Sequence, residues 1–198
     1  MVKLKPNFCM SKFISDETYN GIDFTVQKLD LATYEDCVFT NCTFTGQHLS
    51  GFNFVECTFE NCDLSNAQLG NTSFREVTFK GCKMLGLHFE HCNDLIFSAH
   101  FIDSQLDFSC FYQRNLKNSS FNNCSLKEVD FGEANMSGTI LKKCNLADAA
   151  FDYTNLEKAD LRQSFNFNID PETNRIQKAK FSASTLAGLL GKYNLEID

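Results

Sequence analysis

Cys37, Cys42, Cys57 and Cys62, all within CVFTNCTFTGQHLSGFNFVECTFENCDL (37–64), are the first residues whose type and spacing suggest chemistry. Two pairs of thiolates can close a structural zinc site, where paired ligands stand two to four residues apart in a tight knuckle. Each pair here is C-x4-C, an interval that follows from a five-residue period in the chain rather than from a knuckle. Seven of the ten cysteines (37, 42, 57, 62, 82, 124 and 144) fall at one place in that period. A buried thiol behaves as a compact hydrophobe, so a ladder of core cysteines is expected and no metal ligands are assigned. His48 and His88 point outward from one wall two turns apart, too far to share an ion. His91 beside Cys92 is the single pairing compatible with a metal. The sequence has no G-x-S-x-G, no H-E-x-x-H and no glycine loop that would cradle phosphates before a helix. No catalytic or cofactor-binding residue is assigned, and a non-enzymatic protein is expected.

The carboxylates carry more. Glu35, Asp36, Glu56 and Glu76 follow Tyr34, Phe54 and Phe74, while Asp130, Glu133, Asp148 and Asp152 surround Phe131 and Phe151. Lys117, Lys127, Lys142, Lys143 and Arg162 are interspersed, which makes the negative field patchy. The formal net charge of −7 disfavours nucleic acid as a direct partner, because phosphates need counter-charge. It suits a basic surface on another protein.

What positions all these residues is a repeat, the first thing to seek in a chain. Every fifth residue from Phe24 to Phe89, fourteen positions, is large and apolar, and fourteen more follow from Ile96 to Leu161. Two residues before each of these stands a small one, Ala, Cys, Ser, Thr or Val, in 21 of 28 cases. The exceptions are Ile22, Gln27, Gln47, Phe52, Leu87, Asp94 and Arg114. One large and one small inward residue in five fit neither the 3.6 period of a helix nor the 2.0 period of a strand. They fit a chain that turns a corner every five residues, with four faces to a coil. Side chains should then recur on one wall every 20 residues, as in Cys37 and Cys57, in Cys42, Cys62 and Cys82, and in Asn115, Asn135 and Asn155. About seven coils are expected.

The phase slips once, seven residues separating Phe89 from Ile96 through EHCNDL (90–95). If the slip is a two-residue bulge, the wall of Cys42, Cys62 and Cys82 continues through Ser104 to Cys124 and Cys144. A charge at Asp94 or Arg114 would be costly to bury unpaired, so either the coil opens there or those side chains escape. The organisation expected is an N-terminal extension or cap (1–19), the coil (20–163, with its break at 90–95) and a terminal region (164–198). In that last region FNFNIDPETNRIQKAKF (165–181) reads as a hairpin or loop around Asp170–Pro171. STLAGLLGKYNLEID (184–198) reads as a helix with Ser184 as N-cap. Its stripe of Leu186, Leu189, Leu190 and Tyr193 would cap the coil, form a dimer contact, or both. The N-terminus lacks the apolar run of a signal peptide, and a cytoplasmic protein is expected.

Stretches such as CNLADAAFDYTNLEKADL (144–161) resemble the A(D/N)LXX consensus of the pentapeptide-repeat family, over roughly residues 20–163. The resemblance implies an all-β solenoid, a right-handed quadrilateral β-helix. KMLGLHFEHC (83–92) at the break, and the terminal STLAGLLGKYNLEI, are similar to the Qnr quinolone-resistance branch and its gyrase-binding relatives. That branch implies a homodimer joined by the C-terminal helix and a DNA mimic that binds a type II topoisomerase, DNA gyrase, through its acidic faces. Protection of the enzyme from quinolones would follow. The long projecting loops of some Qnr proteins have no counterpart in this sequence, and a scaffold for another protein partner is the alternative.

Overall fold

The computed structural model describes residues 12–95 and 97–196; Ile96, expected to point inward, lies outside them, as do residues 1–11 of the expected N-terminal cap. Short strands stack in parallel at 20-residue intervals. Lys12–Ser15 pairs with Ala32–Glu35, which pairs with Asn53–Val55 and then Ser73–Lys80. The neighbouring face runs Thr18–Asn20, Val38–Thr40, Thr58–Glu60 and again Ser73–Lys80. Bridges such as His48 to Gln68 and Asn115 to Asn135 to Asn155 complete the remaining faces.

Corners are turned by residues in the left-handed region, among them Asp36, Asn61, Glu76 and Lys143, with φ between 52° and 57°. L residues other than Asn, Asp and Gly enter this region reluctantly, and backbone bonds to the next coil hold them there. Asn61 N, for example, donates to Lys80 O at 2.8 Å. At Gly81, at φ 63°, a Cβ would also displace the tip of the Asn61 side chain on the coil before.

Inside, the large residues form columns. Phe39, Phe59, Phe79, Phe101 and Phe121 stack with successive ring centroids 4.7, 5.1, 5.4 and 4.9 Å apart. Phe89, Phe111, Phe131 and Phe151 do the same at 4.4, 5.4 and 5.3 Å. Adjacent columns meet edge to face, as at Phe101 and Phe111, the second favourable aromatic geometry.

The small positions are more than small. Cys62 Sγ points at the carbonyls of Phe39 and Glu60 at 3.3 and 3.4 Å, and Cys82 Sγ at Phe59 O at 3.3 Å. Ser104 Oγ donates to Ile102 O at 2.8 Å and accepts from Cys82 N at 3.1 Å. Thiols and hydroxyls thus satisfy backbone groups that the corner takes out of the ladder. The column Cys42, Cys62, Cys82, Ser104, Cys124, Cys144 runs unbroken through the slip, with Val77 opposite Ala99 and Phe79 opposite Phe101. The two halves share one register.

The slip itself is a single turn of 3-10 helix, Phe89–His91, and its extra residues leave carbonyls that the next coil does not reach. Arg114 collects them. Its side chain, 3% exposed, turns inward, whereas Asp94 is 94% exposed. Nη2 donates to Phe89 O (2.7 Å), Glu90 O (3.1 Å) and Cys92 O (2.6 Å). Nη1 donates to Asn93 O (3.2 Å) and Asp94 Oδ1 (2.8 Å). The four N–H groups of the two terminal nitrogens, fixed in a planar fork, are shared among these five acceptors, while Nε is buried without a partner among the described residues. Phe97, buried, lies under its cationic face at 5.5 Å.

The ladder reaches beyond 20–163 at both ends. Lys12–Ser15 and Thr18–Asn20 are strands of the coil rather than an extension. Residues 165–180 form neither hairpin nor free loop: Phe165, Arg175 and Lys180 bridge in parallel to Asn145, Asn155 and Asp160. The five-residue pattern is masked there because the large places fall on Asn166 and Pro171 and Phe167 turns in instead, whereas Ile169 and Asn174 keep the small place and Ile176 and Phe181 resume the large one. Asn174 Oδ1 accepts from Thr154 N at 2.8 Å, as a serine does elsewhere. The terminal segment is 3-10 helix, Ala183–Leu189 and Gly191–Tyr193. It begins after Ser182, not at Ser184, and no side chain caps it. Ile169 N donates to Gly188 O at 2.9 Å, and a glycine in each of the two short helices, Gly188 and Gly191, weakens the wider α-helical turn. No described helix is long and apolar enough to cross a membrane.

Candidate functional site

The corner after Tyr34, Phe54 and Phe74 places Asp36, Glu56 and Glu76 directly above one another, all at φ 52–53° and all exposed. Asp16, at φ 58°, extends the column by one coil. It belongs to the residues that sequence reasoning set aside as an extension, although its 20-residue spacing from Asp36 was the available signal. Coil spacing of about 4.8 Å sets the four carboxylates in a line along the rod. Among the described residues Asp16, Asp36 and Glu56 are in no ion pair, while Glu76 meets His100 at 3.5 Å and accepts from Ser98 Oγ at 2.8 Å. Glu35, half-buried, stands beside this column. Its strand partners are Val55 and then Arg75, so the acidic line borders one cation.

The second acidic group is not continuous with the first. It sits in the later coils on the adjacent wall, and the first column passes beyond Glu76 into Ser98 and Asn118. Asp148 and Asp152 are exposed and unpaired among the described residues. Glu133 is held below the usual carboxylate range by hydrogen bonds from Gln113 and Tyr112. Asp130 turns partly inward, its Oδ1 accepting from Gly132 N at 2.7 Å.

Asp130 also belongs to a different cluster. On its wall His48, Gln68, His88, Cys110, Asp130 and Ala150 occupy one column, with His88 bridging Cys110 and Cys110 bridging Asp130. His48 and His88 are thus two coils apart, as the period requires. The 3-10 turn at the break swings Glu90 over His88, with Oε1 2.7 Å from Nδ1. Burial, aided by the charges of Glu90 and Asp130, pushes the Cys110 thiol up to about 12. His91 does not pair with Cys92, which is buried beneath Arg114; its ring stacks on His88 at 5.5 Å. The cysteines at 37, 42, 57 and 62 are all buried.

The terminal stripe divides. Leu189 packs against the core, whereas Leu186, Leu190 and Tyr193 remain 45%, 37% and 51% exposed. The segment lies over the end of the coil through Gly188 on Phe167, and Lys192 clamps Asp170 and Glu172 at 2.8 and 2.6 Å.

Two family models match this chain: "Pentapeptide repeat region" over residues 52–131 and "Pentapeptide repeats (8 copies)" over 130–165. The chain belongs to the pentapeptide-repeat family. Among solved structures, two trypsin-treated forms of QnrB1, described as a plasmid-mediated fluoroquinolone resistance protein, share this pentapeptide-repeat fold. One superposes with a TM-score of 0.63 at 19% identity, covering 94% of this chain and 100% of that one. The other gives 0.61 at 20%, covering 93% and 99%. No curated protein sequence matches this pentapeptide-repeat chain. At such identities the likeness is one of architecture, the solenoid with a short terminal helix.

Proposed function

We propose that this pentapeptide-repeat protein is a non-enzymatic, cytoplasmic binding protein that occupies the basic DNA groove of a type II topoisomerase, DNA gyrase, in place of DNA. Protection of that enzyme from quinolones follows from the competition. The column Asp16, Asp36, Glu56 and Glu76, the first three of them in no ion pair among the described residues, carries this reading, because carboxylates at a fixed rise are what a groove lined for phosphates can accept. Their spacing is sparser than the phosphate per ~3.4 Å on one strand of B-DNA, so the whole net charge of −7 contributes to steering. The architectural likeness to QnrB1, described as a fluoroquinolone resistance protein, is compatible with the quinolone part of this reading. A scaffold for another protein is the second reading, favoured by the ending of the acidic column at Ser98.

Gyrase supercoiling assays with and without a fluoroquinolone test it. The chain itself shows which charge reversal its corners tolerate: Lys143, Lys158 and Lys178 hold the same left-handed conformation at φ 57°, 60° and 60°. The triple variant Asp36→Lys, Glu56→Lys, Glu76→Lys should therefore fold, and it should lose roughly tenfold or more in its effect on supercoiling, as opposed charges across an interface do. No effect of the unmodified protein at micromolar concentration rejects the topoisomerase as partner.

The protein acts as a homodimer through Leu186, Leu190 and Tyr193, with Leu189 retained by the cap. Light scattering on the variant Leu186→Glu, Leu190→Glu should give half the mass of the unmodified protein; an unchanged mass removes this contact.

A further inference from the structure

We propose that His88, Glu90 and Cys110 bind a divalent transition-metal ion, zinc in the cell, at the phase break. The ladder places His88 and Cys110 as direct partners on successive coils. Glu90 joins them only because the extra residues of the break form a 3-10 turn, and candidate ligand atoms of all three lie within 4.8 Å of one another. Tetrahedral zinc, with ligands at about 2.0–2.3 Å, holds its donors about 3.3–3.8 Å apart. The widest separation therefore closes by about 1 Å while His88 Nδ1 and Glu90 Oε1, 2.7 Å apart, open slightly, movements available to side chains at the surface such as His88, which is 60% exposed.

Charge argues the same way. Glu90 Oε2 is buried and has no hydrogen-bond partner, and its ion-pair contacts among the described residues are the two imidazoles alone. Asp130 Oδ2 stands 3.8 Å from the Cys110 sulfur, adding a second carboxylate behind the first. An ion between them supplies the positive charge that this corner lacks, and His91 Nε2, 3.9 Å from Glu90 Oε1, is within reach as the fourth ligand. Nitrogen, sulfur and carboxylate donors together select zinc, cobalt or nickel over magnesium or calcium. On binding, the Cys110 sulfur coordinates as thiolate and its proton leaves to solvent. Cys110 is free for this because it lies outside the small inward positions that the other repeat cysteines fill.

Cobalt(II) titration of the full chain under reducing conditions tests the site, since a thiolate ligand gives a charge-transfer absorption that carboxylates and imidazoles do not. One equivalent should bind at micromolar concentration with that band, and zinc should displace it. Cys110→Ser should abolish the band and His88→Ala should weaken binding at least tenfold, while His48→Ala leaves both unchanged. Circular dichroism confirms that each variant keeps its fold. Absence of the band in the unmodified protein, or its survival in Cys110→Ser, overturns the proposal; binding without the band, an adventitious ion on surface carboxylates, overturns it equally.

Discussion

Replacing Arg114 with alanine is expected to destabilise the rod by about 3–5 kcal/mol, the range for removing one partner from a buried charged network. The magnitude comes from the acceptors rather than from the ion pair. Phe89, Glu90, Cys92 and Asn93 each present a carbonyl to the guanidinium; Phe89 O keeps a second donor in Cys92 N at 3.0 Å, but the other three lose theirs, and a buried carbonyl left without a donor costs about 1–3 kcal/mol. Asp94, almost wholly in water, contributes little; Asp94→Ala should change stability by about 1 kcal/mol or less. Methionine at 114 restores the volume but none of the donors, and should recover only part of the loss. Urea denaturation measures the total, and hydrogen exchange over residues 89–97 shows where it falls. A repeat array is stable through its neighbour-to-neighbour interfaces, so the variant should also separate into two unfolding transitions, one for each side of the break. A single transition within about 1 kcal/mol of the unmodified protein would show that the carbonyls find other donors.

Phe101→Ala should cost a similar ~3–5 kcal/mol. The ring lies between Phe79 and Phe121 at 5.4 and 4.9 Å and meets Phe89 and Phe111 edge on, so truncation opens a cavity whose walls belong to three successive coils. Those coils are fixed by their ladders and cannot collapse inward, which places the site near the upper end of the range. Phe101→Leu keeps most of the volume and should cost about 1–2 kcal/mol. Phe13→Ala, at a side chain 60% exposed, should stay within about 0.5 kcal/mol. Equal losses at 101 and 13 would contradict a core built as a continuous column.

The period, the inward residues and the common register of the two halves were all legible, because each depends on volume repeating at a fixed interval. The break was legible as a position but not as a structure. Counting shows that two residues are extra; it does not show that they wind into a 3-10 turn, that Arg114 goes inward to meet their carbonyls, or that Glu90 arrives over His88. Those outcomes follow from hydrogen-bond accounting, to which a volume pattern is blind. The cysteines illustrate the same gap: as compact hydrophobes they were placed well, but the carbonyls that Cys62 and Cys82 satisfy do not show in their spacing. The C-terminal end was misjudged where the large inward place failed at Asn166 and Pro171 and Phe167, one residue off the period, turned in instead, while Ile169 and Asn174 kept the small place. Of the acidic residues, the column of Asp36, Glu56 and Glu76 was legible from the 20-residue interval, and Asp16 was missed only because the coil was taken to start after it.

The left-handed corners have a consequence for how much of this sequence is informative. Asp36, Gln113, Lys143 and Tyr153 adopt nearly one φ, so a corner admits an acid, an amide, a base or an aromatic without altering the coil. Of each five residues, two face the interior under strict limits of volume and three are free to drift. A solenoid built this way can retain its architecture while most of its letters change, and 19% identity beside a TM-score of 0.63 is the degree of divergence such latitude permits. The surface chemistry the rod presents is therefore written in the variable letters, which can change while the interior stays the same.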